Sequence, residues 1–182
     1  MDSELVVQAQ HGDEGAFASL AVAVGDRLHG VAHRILRDLD LAEDATQQAL
    51  VSIWRDLPQL RDPARFEGWA YRILVRACYA ERRRQRTWSP NMRLLPSIES
   101  HEADPAKAIA ARDQIERGFR RLSLEHRAVI VMHYYLDLPL PAVADTLGIP
   151  VGTARSRLHY ATRALRAALD ADARPAGQEI AR

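Results

Sequence analysis

The chain reads as an all-α protein: two small helical domains joined by a flexible linker, the second containing a helix-turn-helix. Three observations predict this. Apolar residues recur at 3.6-residue spacing through nearly every segment, and no run alternates convincingly as a strand would. The periodicity breaks between Trp88 and Pro105, where three prolines, several serines and several acids leave few apolar positions. Near the end, a short apolar helix, a glycine turn and an arginine-bearing helix follow in close succession, from Leu140 to Arg163.

The opening helix is expected over about residues 3–11, closed by Gly12-Asp13. Asp13 can cap a second helix, about 14–37, with Phe17, Leu20, Val24, Leu28, Val31 and Leu36 turned inward. Asp40-Leu-Ala-Glu43 has the form of a capping box, so a third helix is placed at 41–57 and ended by Pro58. Asp62-Pro63 is a cap followed by proline at the first helical position, so a fourth helix starts there. It carries Phe66, Trp69, Ile73, Leu74 and Cys78 inward and runs into Arg82-Arg83-Arg84. Residues 88–105 form the linker. A fifth helix is expected from 106 to 121. Ser123 caps a sixth, about 124–136, with Leu124, Ala128, Val131, Met132 and Tyr135 inward. The boundaries are therefore a first domain at 1–87, a second at 106–170, and a tail at 171–182 whose Ala/Asp/Arg/Pro/Gly composition favours fraying.

In the helix-turn-helix, Ala144 supplies the small side chain needed where two helices approach, and Gly148 tolerates the positive φ of a sharp turn. Val151, Ala154, Leu158, Ala161 and Leu165 can face a core. Thr153, Arg155, Ser156, Arg157, His159, Tyr160 and Arg163 are left for a DNA major groove. Thr153, Arg155 and His159 are assigned to base edges, and Arg157, Tyr160 and Arg163 to phosphates. Pro150 stands where Ser or Thr would cap better, but an early helical proline is tolerated.

Composition narrows the class. The 182 residues carry a net charge of +1, so any affinity for nucleic acid is local. Lys107 is the one lysine, and arginine supplies the rest of the basic charge, a bias that a GC-rich genome would also produce. Cys78, the single cysteine, excludes an internal disulfide and a cysteine-based zinc site. His29 and His33 share a helical face without a third ligand, so no metal or cofactor is expected. No phosphate loop, catalytic triad or paired-carboxylate motif is present, and an enzymatic role is not expected. Without a leader-like or long apolar stretch, the reading is a cytoplasmic protein with no membrane insertion.

Three further motifs carry a resemblance. Gly12-Asp-Glu-Gly-Ala-Phe17, Ala42-Glu-Asp-Ala-Thr-Gln47 followed by Trp54, and Phe66-Glu-Gly-Trp-Ala-Tyr-Arg-Ile73 stand ahead of Gly148-Ile-Pro-Val-Gly-Thr-Ala-Arg-Ser-Arg-Leu158. Together they resemble a bacterial RNA polymerase sigma factor of the extracytoplasmic-function group, over about residues 5–170. The resemblance implies that Asp44, Gln47, Gln48 and Arg55 dock on the β′ coiled coil of core polymerase, with the β flap as a further contact. It implies that the loop from Leu60 to Arg65, with Arg61, Asp62, Ala64 and Arg65, holds a base flipped from the −10 element. Arg72, Arg76, Arg82, Arg83 and Arg84 would take promoter phosphates, and the last domain would read −35 DNA. An anti-sigma factor is an implied partner. Gln48 and Leu50 depart from an acid and an aromatic usual in the family, which would retune the polymerase contact, and Ala142 and Ala154 replace larger or acidic residues. The rival reading is an autonomous dimeric helix-turn-helix regulator, which would bind operator DNA without polymerase.

Overall fold

A computed structural model describes residues 3–88 and 115–172, and all regular structure among them is helical. Four helices form the N-terminal module: α1 (Ser3–Gln10), α2 (Glu14–Leu36), α3 (Leu39–Asp56) and α4 (Phe66–Trp88). The C-terminal module comprises a helical segment over residues 115–120 (α5), α6 (Leu124–Ile130), α7 (Leu140–Leu147) and α8 (Val151–Asp172). The expected linker 88–105 and the expected start of a helix at 106 fall outside the described residues apart from Trp88, which still ends α4. So does the tail beyond Asp172.

Local chemistry sets the helix ends. Asp13 accepts from the backbone N–H of Ala16 at 2.9 Å, satisfying an otherwise orphaned donor at the start of α2. Arg37 ends α2 at φ 57°, its N–H donating to the His33 carbonyl at 2.8 Å. The cap of α3 is Asp38, not the expected Asp40: the helix begins two residues earlier, and the Asp38 carboxylate accepts from Leu41 N–H at 3.1 Å. Asp62 accepts from Ala64 N–H at 3.0 Å and opens a 3-10 turn, Pro63–Arg65, that feeds α4. Gln10 fastens the preceding turn by donating from Nε2 to the carbonyls of Leu57 (3.1 Å) and Leu60 (2.6 Å). The loop before α4 is thus tied to α1.

The N-terminal core alternates large and small side chains. Leu20, Leu28, Ile35 and Leu36 of α2 and Leu74, Val75 and Cys78 of α4 are buried with Ala42, Ala45, Ala49 and Ile53 of α3. The alanines let α3 lie close to both neighbours. Phe66 is buried and Trp69 half-buried, their rings 6.1 Å apart, consistent with their reading as core.

Gly148 closes α7 at φ 65°. Its N–H reaches Asp145 O at 3.2 Å, and Ile149 N–H reaches Ala144 O at 3.0 Å, the paired bonds of a Schellman ending. Pro150 offers its carbonyl to Ala154 N–H at 3.0 Å, so α8 starts without a side-chain cap. Ala144, Ala154 and Ala161 are buried as expected. Val151 and Tyr135 are exposed instead of inward. Tyr135 lies in a π-helical turn, Val131–Tyr135, which shifts it off the inner face.

The modules are packed together. Ala128, Val129, Val131, Met132 and Val143 belong to the same apolar cluster as the N-terminal core. A smaller cluster of Leu122, Ile130 and Ala161 holds α6 to α8.

Candidate nucleic-acid interface and docking face

α8 presents one wall to water. Arg155, Ser156, His159, Tyr160 and Arg163 are exposed, while Ala154 and Ala161 are buried on the opposite side. Among the described residues, Arg155 and Arg163 hold no carboxylate, so both guanidiniums are available. Ser156 donates its hydroxyl to Thr153 O at 3.0 Å. The rings of His159 and Tyr160 meet edge-on at 5.7 Å, an aromatic tip with Tyr160 60% exposed. Thr153 is half-buried. Arg157 sits on the other flank, half-buried and within electrostatic reach of Tyr79 and Glu125. It is the member of the predicted set that turns from the wall.

The second basic face belongs to α4 and the loop before it. Arg61 is exposed, as are Asp62, Ala64 and Arg65, with Arg65 Nε 3.4 Å from Asp62. Arg72, Arg76 and Arg83 fall at i, i+4 and i+11 and so share a stripe. Arg76 and Arg83 are exposed, whereas Arg72 Nη2 pairs with Asp145 of α7 at 2.5 Å. Arg82 is half-buried, donates to Gln85 Oε1 at 2.8 Å, and is pushed down from the usual guanidinium range by burial. Arg84 leaves the stripe to hold two carboxylates, Glu81 at 2.8 Å and Asp44 at 3.2 Å.

The polar stripe of α3 forms a distinct face. Asp44, Gln47, Gln48, Val51 and Arg84 line a shallow recess of about 260 Å³. Gln47 and Gln48 are exposed. Arg55 continues the stripe with two hydrogen bonds to Asp56 (2.8 and 3.1 Å), and its guanidinium holds the Asp56 carboxyl below the ordinary range. The sequence reading missed Val51, which is 59% exposed; Trp54, which closes the motif on this helix, tilts its ring against Phe17 at 4.6 Å. An apolar residue four places after Gln47 on a polar stripe was the available signal.

Four residues outside the predicted DNA-binding and polymerase-binding sets join the modules. Arg127, Asp145, Arg34 and Tyr135 gave no signal in local spacing, because each finds its partner on another helix. Cys78 is buried, and desolvation pushes its thiol up to about 12, as it does the Tyr79 hydroxyl. Among the described residues, no group of three His, Cys, Asp or Glu side chains is placed to hold a metal. No described helix is long and apolar enough to cross a membrane.

Comparison with known proteins matches a family model to part of each module. Residues 20–87 match the family Sigma-70 region 2, and residues 118–167 match Sigma-70, region 4. The ECF RNA polymerase sigma factor SigL of Mycobacterium tuberculosis is 35% identical over 139 residues, which cover 75% of this chain and 78% of that protein. SigW of Bacillus subtilis is 25% identical over 178 residues, 91% of this chain and 95% of that protein. The solved structure of CnrH with the cytosolic domain of CnrY covers 94% of this chain and 98% of that one at a TM-score of 0.67 and 25% identity. RpoE of Bartonella quintana, solved with the anti-sigma factor NepR, shares the fold at a TM-score of 0.71 and 21% identity, covering 86% of this chain and 98% of that one.

Proposed function

The chain belongs to the extracytoplasmic-function group of sigma-70-type RNA polymerase sigma factors, and we propose how its faces divide the work of starting transcription. It binds core polymerase and directs it to promoters. The polar face of α3, with Asp44, Gln47, Gln48, Arg55 and the adjoining Val51, docks on the β′ coiled coil, and the C-terminal module meets the β flap. Val51 adds apolar area to hydrogen-bonding side chains already fixed on a helix, which lose little entropy on docking.

The α8 wall enters the −35 major groove. Arg155 and His159 meet base edges with Thr153, while Tyr160 and Arg163 hold phosphates. The loop from Leu60 to Arg65 receives a base extruded from the −10 element, and Arg72, Arg76 and Arg83 follow the strand backbone. Unstacking a base costs a few kcal/mol, about what capture of the flipped base and its strand returns. Arg84, engaged with Glu81 and Asp44, serves the docking face instead. The chain acts as an initiation factor in the compartment of its polymerase, and an anti-sigma protein is its negative regulator.

One observation carries this reading: two arginine-bearing faces stand on separate modules of one chain that also carries a polar docking face. The test is run-off transcription with purified core polymerase, comparing the wild type with Arg155→Ala on cognate and scrambled −35 sequences. A bidentate arginine–guanine pair is worth about 1–3 kcal/mol, so cognate preference should fall by about 5- to 150-fold. Equal losses on both templates would move Arg155 to the phosphates. A chain that ignored core polymerase yet bound duplex alone as a dimer would be the autonomous regulator instead.

A further inference from the structure

One side chain near the end of α4 reaches the polymerase-facing side of α3. Arg84 Nη2 lies 2.8 Å from Glu81 Oε2, one turn back on its own helix, and 3.2 Å from Asp44 Oδ2 on α3. The three groups differ in exposure. Glu81 is buried, whereas Asp44 and Arg84 are exposed. Glu81 is therefore an anchor fixed by packing, and Asp44 is a surface carboxylate tied to that anchor through one guanidinium nitrogen. Of the residues that line the recess on α3, Asp44 is the single carboxylate; Gln47 and Gln48 are amides and Val51 is apolar.

We infer that Arg84 is a positioning residue for polymerase docking: held by Glu81, it fixes the direction of Asp44, the one charged acceptor in the recess, and acts only through it. This rests on the assignment of the α3 face to core polymerase. An exposed aspartate turns among several rotamers, and ordering such a side chain at an interface costs binding energy. Asp44 is restrained before its partner arrives. Among the described residues its carboxylate takes no other donor, so Oδ1 stays open to the partner while Oδ2 holds Arg84.

A surface ion pair is weak when both members are free to move, because two long side chains must be ordered to make it. Here one member is already ordered. Arg84 is bound to a carboxylate that the fold keeps out of water, so holding Asp44 costs little further entropy. The same anchor keeps Arg84 from the promoter. Arg83, one residue earlier, lies on the exposed stripe with Arg76, and successive residues of a helix are turned by about 100°. To reach a phosphate, Arg84 would have to leave Glu81 as an uncompensated buried charge. Neighbouring arginines of one turn thus serve different partners: Arg83 the strand backbone, Arg84 the docking carboxylate.

Competition of full-length variants for purified core polymerase, measured well below every variant's Tm, tests this. Asp44→Ala should weaken binding. Arg84→Ala should weaken it about 2- to 10-fold, the effect of leaving one side chain to be ordered on docking. On the Asp44→Ala background, Arg84→Ala should add no further loss, because its route to the polymerase is gone. Glu81→Gln with Arg84→Ala should regain thermal stability over Arg84→Ala alone and regain no affinity, a split that a merely structural role would not produce. An Arg84→Ala chain that binds core polymerase like the wild type would overturn the positioning role. So would a full additional loss on the Asp44→Ala background, which would put Arg84 itself against the polymerase, or affinity that returns together with Tm in the Glu81→Gln variant. Asp44→Ala with undiminished binding gives a different result: it would strike the docking face on α3, and the role of Arg84 with it.

Discussion

Replacing Arg84 by alanine removes the partner of a carboxylate that the fold hides from water. The Glu81 side chain is 4% exposed, and its Oε2 lies 2.8 Å from Arg84 Nη2, close enough for a strong ionic attraction though not aligned as a hydrogen bond. The same nitrogen donates to Asp44 at 3.2 Å. Asp44 is exposed, so losing that contact costs about 1 kcal/mol at most. Glu81 dominates. Breaking a fully buried pair costs about 3–5 kcal/mol, but Arg84 is itself largely exposed and water screens the interaction. A charged group left unsatisfied under such screening costs about 2 kcal/mol. For a module of this size, that lowers Tm by about 8–16 °C. Adding Glu81→Gln to Arg84→Ala should recover part of the loss, because the uncompensated charge is gone. The assay is thermal unfolding followed by circular dichroism, read beside the salt dependence of promoter binding by the assembled holoenzyme. If Arg84 served a promoter phosphate instead, the salt slope would fall by about 0.9 and Tm would hold. That pair of results would refute the reasoning.

Gly148→Ala should destabilise the C-terminal module by about 1–2 kcal/mol, visible as a lower urea midpoint. A built Cβ meets nothing within 4 Å there, so the loss is backbone strain at φ 65° alone, and Gly148→Asn should lose less. Glu67 is held below the usual carboxylate range chiefly by the hydrogen bond from Arg27, 2.9 Å away. A folded-state value below the unfolded one stabilises fully above the unfolded 4.5 and is lost as pH falls through the folded value. Urea midpoints should therefore drop below that pH, and Arg27→Gln should flatten the drop; because both groups are partly exposed, the effect stays under about 1 kcal/mol. Cys78 should resist a thiol reagent in the native chain at neutral pH and react on unfolding, since burial pushes its thiol to about 12. Rapid labelling under native conditions would contradict that burial.

Where an element depended on neighbours a few residues away, the sequence was a sufficient guide. Asp13, Ser123 and Gly148 end or start helices where local patterning placed them, since a cap answers donors and acceptors within one turn. The α8 wall was legible for the same reason: a helix facing water on one side sorts its residues by period. The start of α3 differs from the expected one because Asp38 and Asp40 are equivalent in kind, and it is Asp38 that adopts extended backbone and accepts from Leu41 N–H. Tyr135 was misplaced because a π-turn alters the period.

Arginine shows where local reasoning stops. The run Arg82-Arg83-Arg84 looks uniform, yet one member is half-buried, one is exposed and one bridges to Asp44, forty residues earlier. Arg72 is on the expected face and is taken by Asp145 from the other module. Sequence alone determined the helices, their exposed faces and the kinds of partner they suit, because those follow from periodicity and side-chain chemistry. Tertiary structure decided which guanidiniums remain open, because a long side chain answers to whatever carboxylate or carbonyl the packing brings near, however distant along the chain.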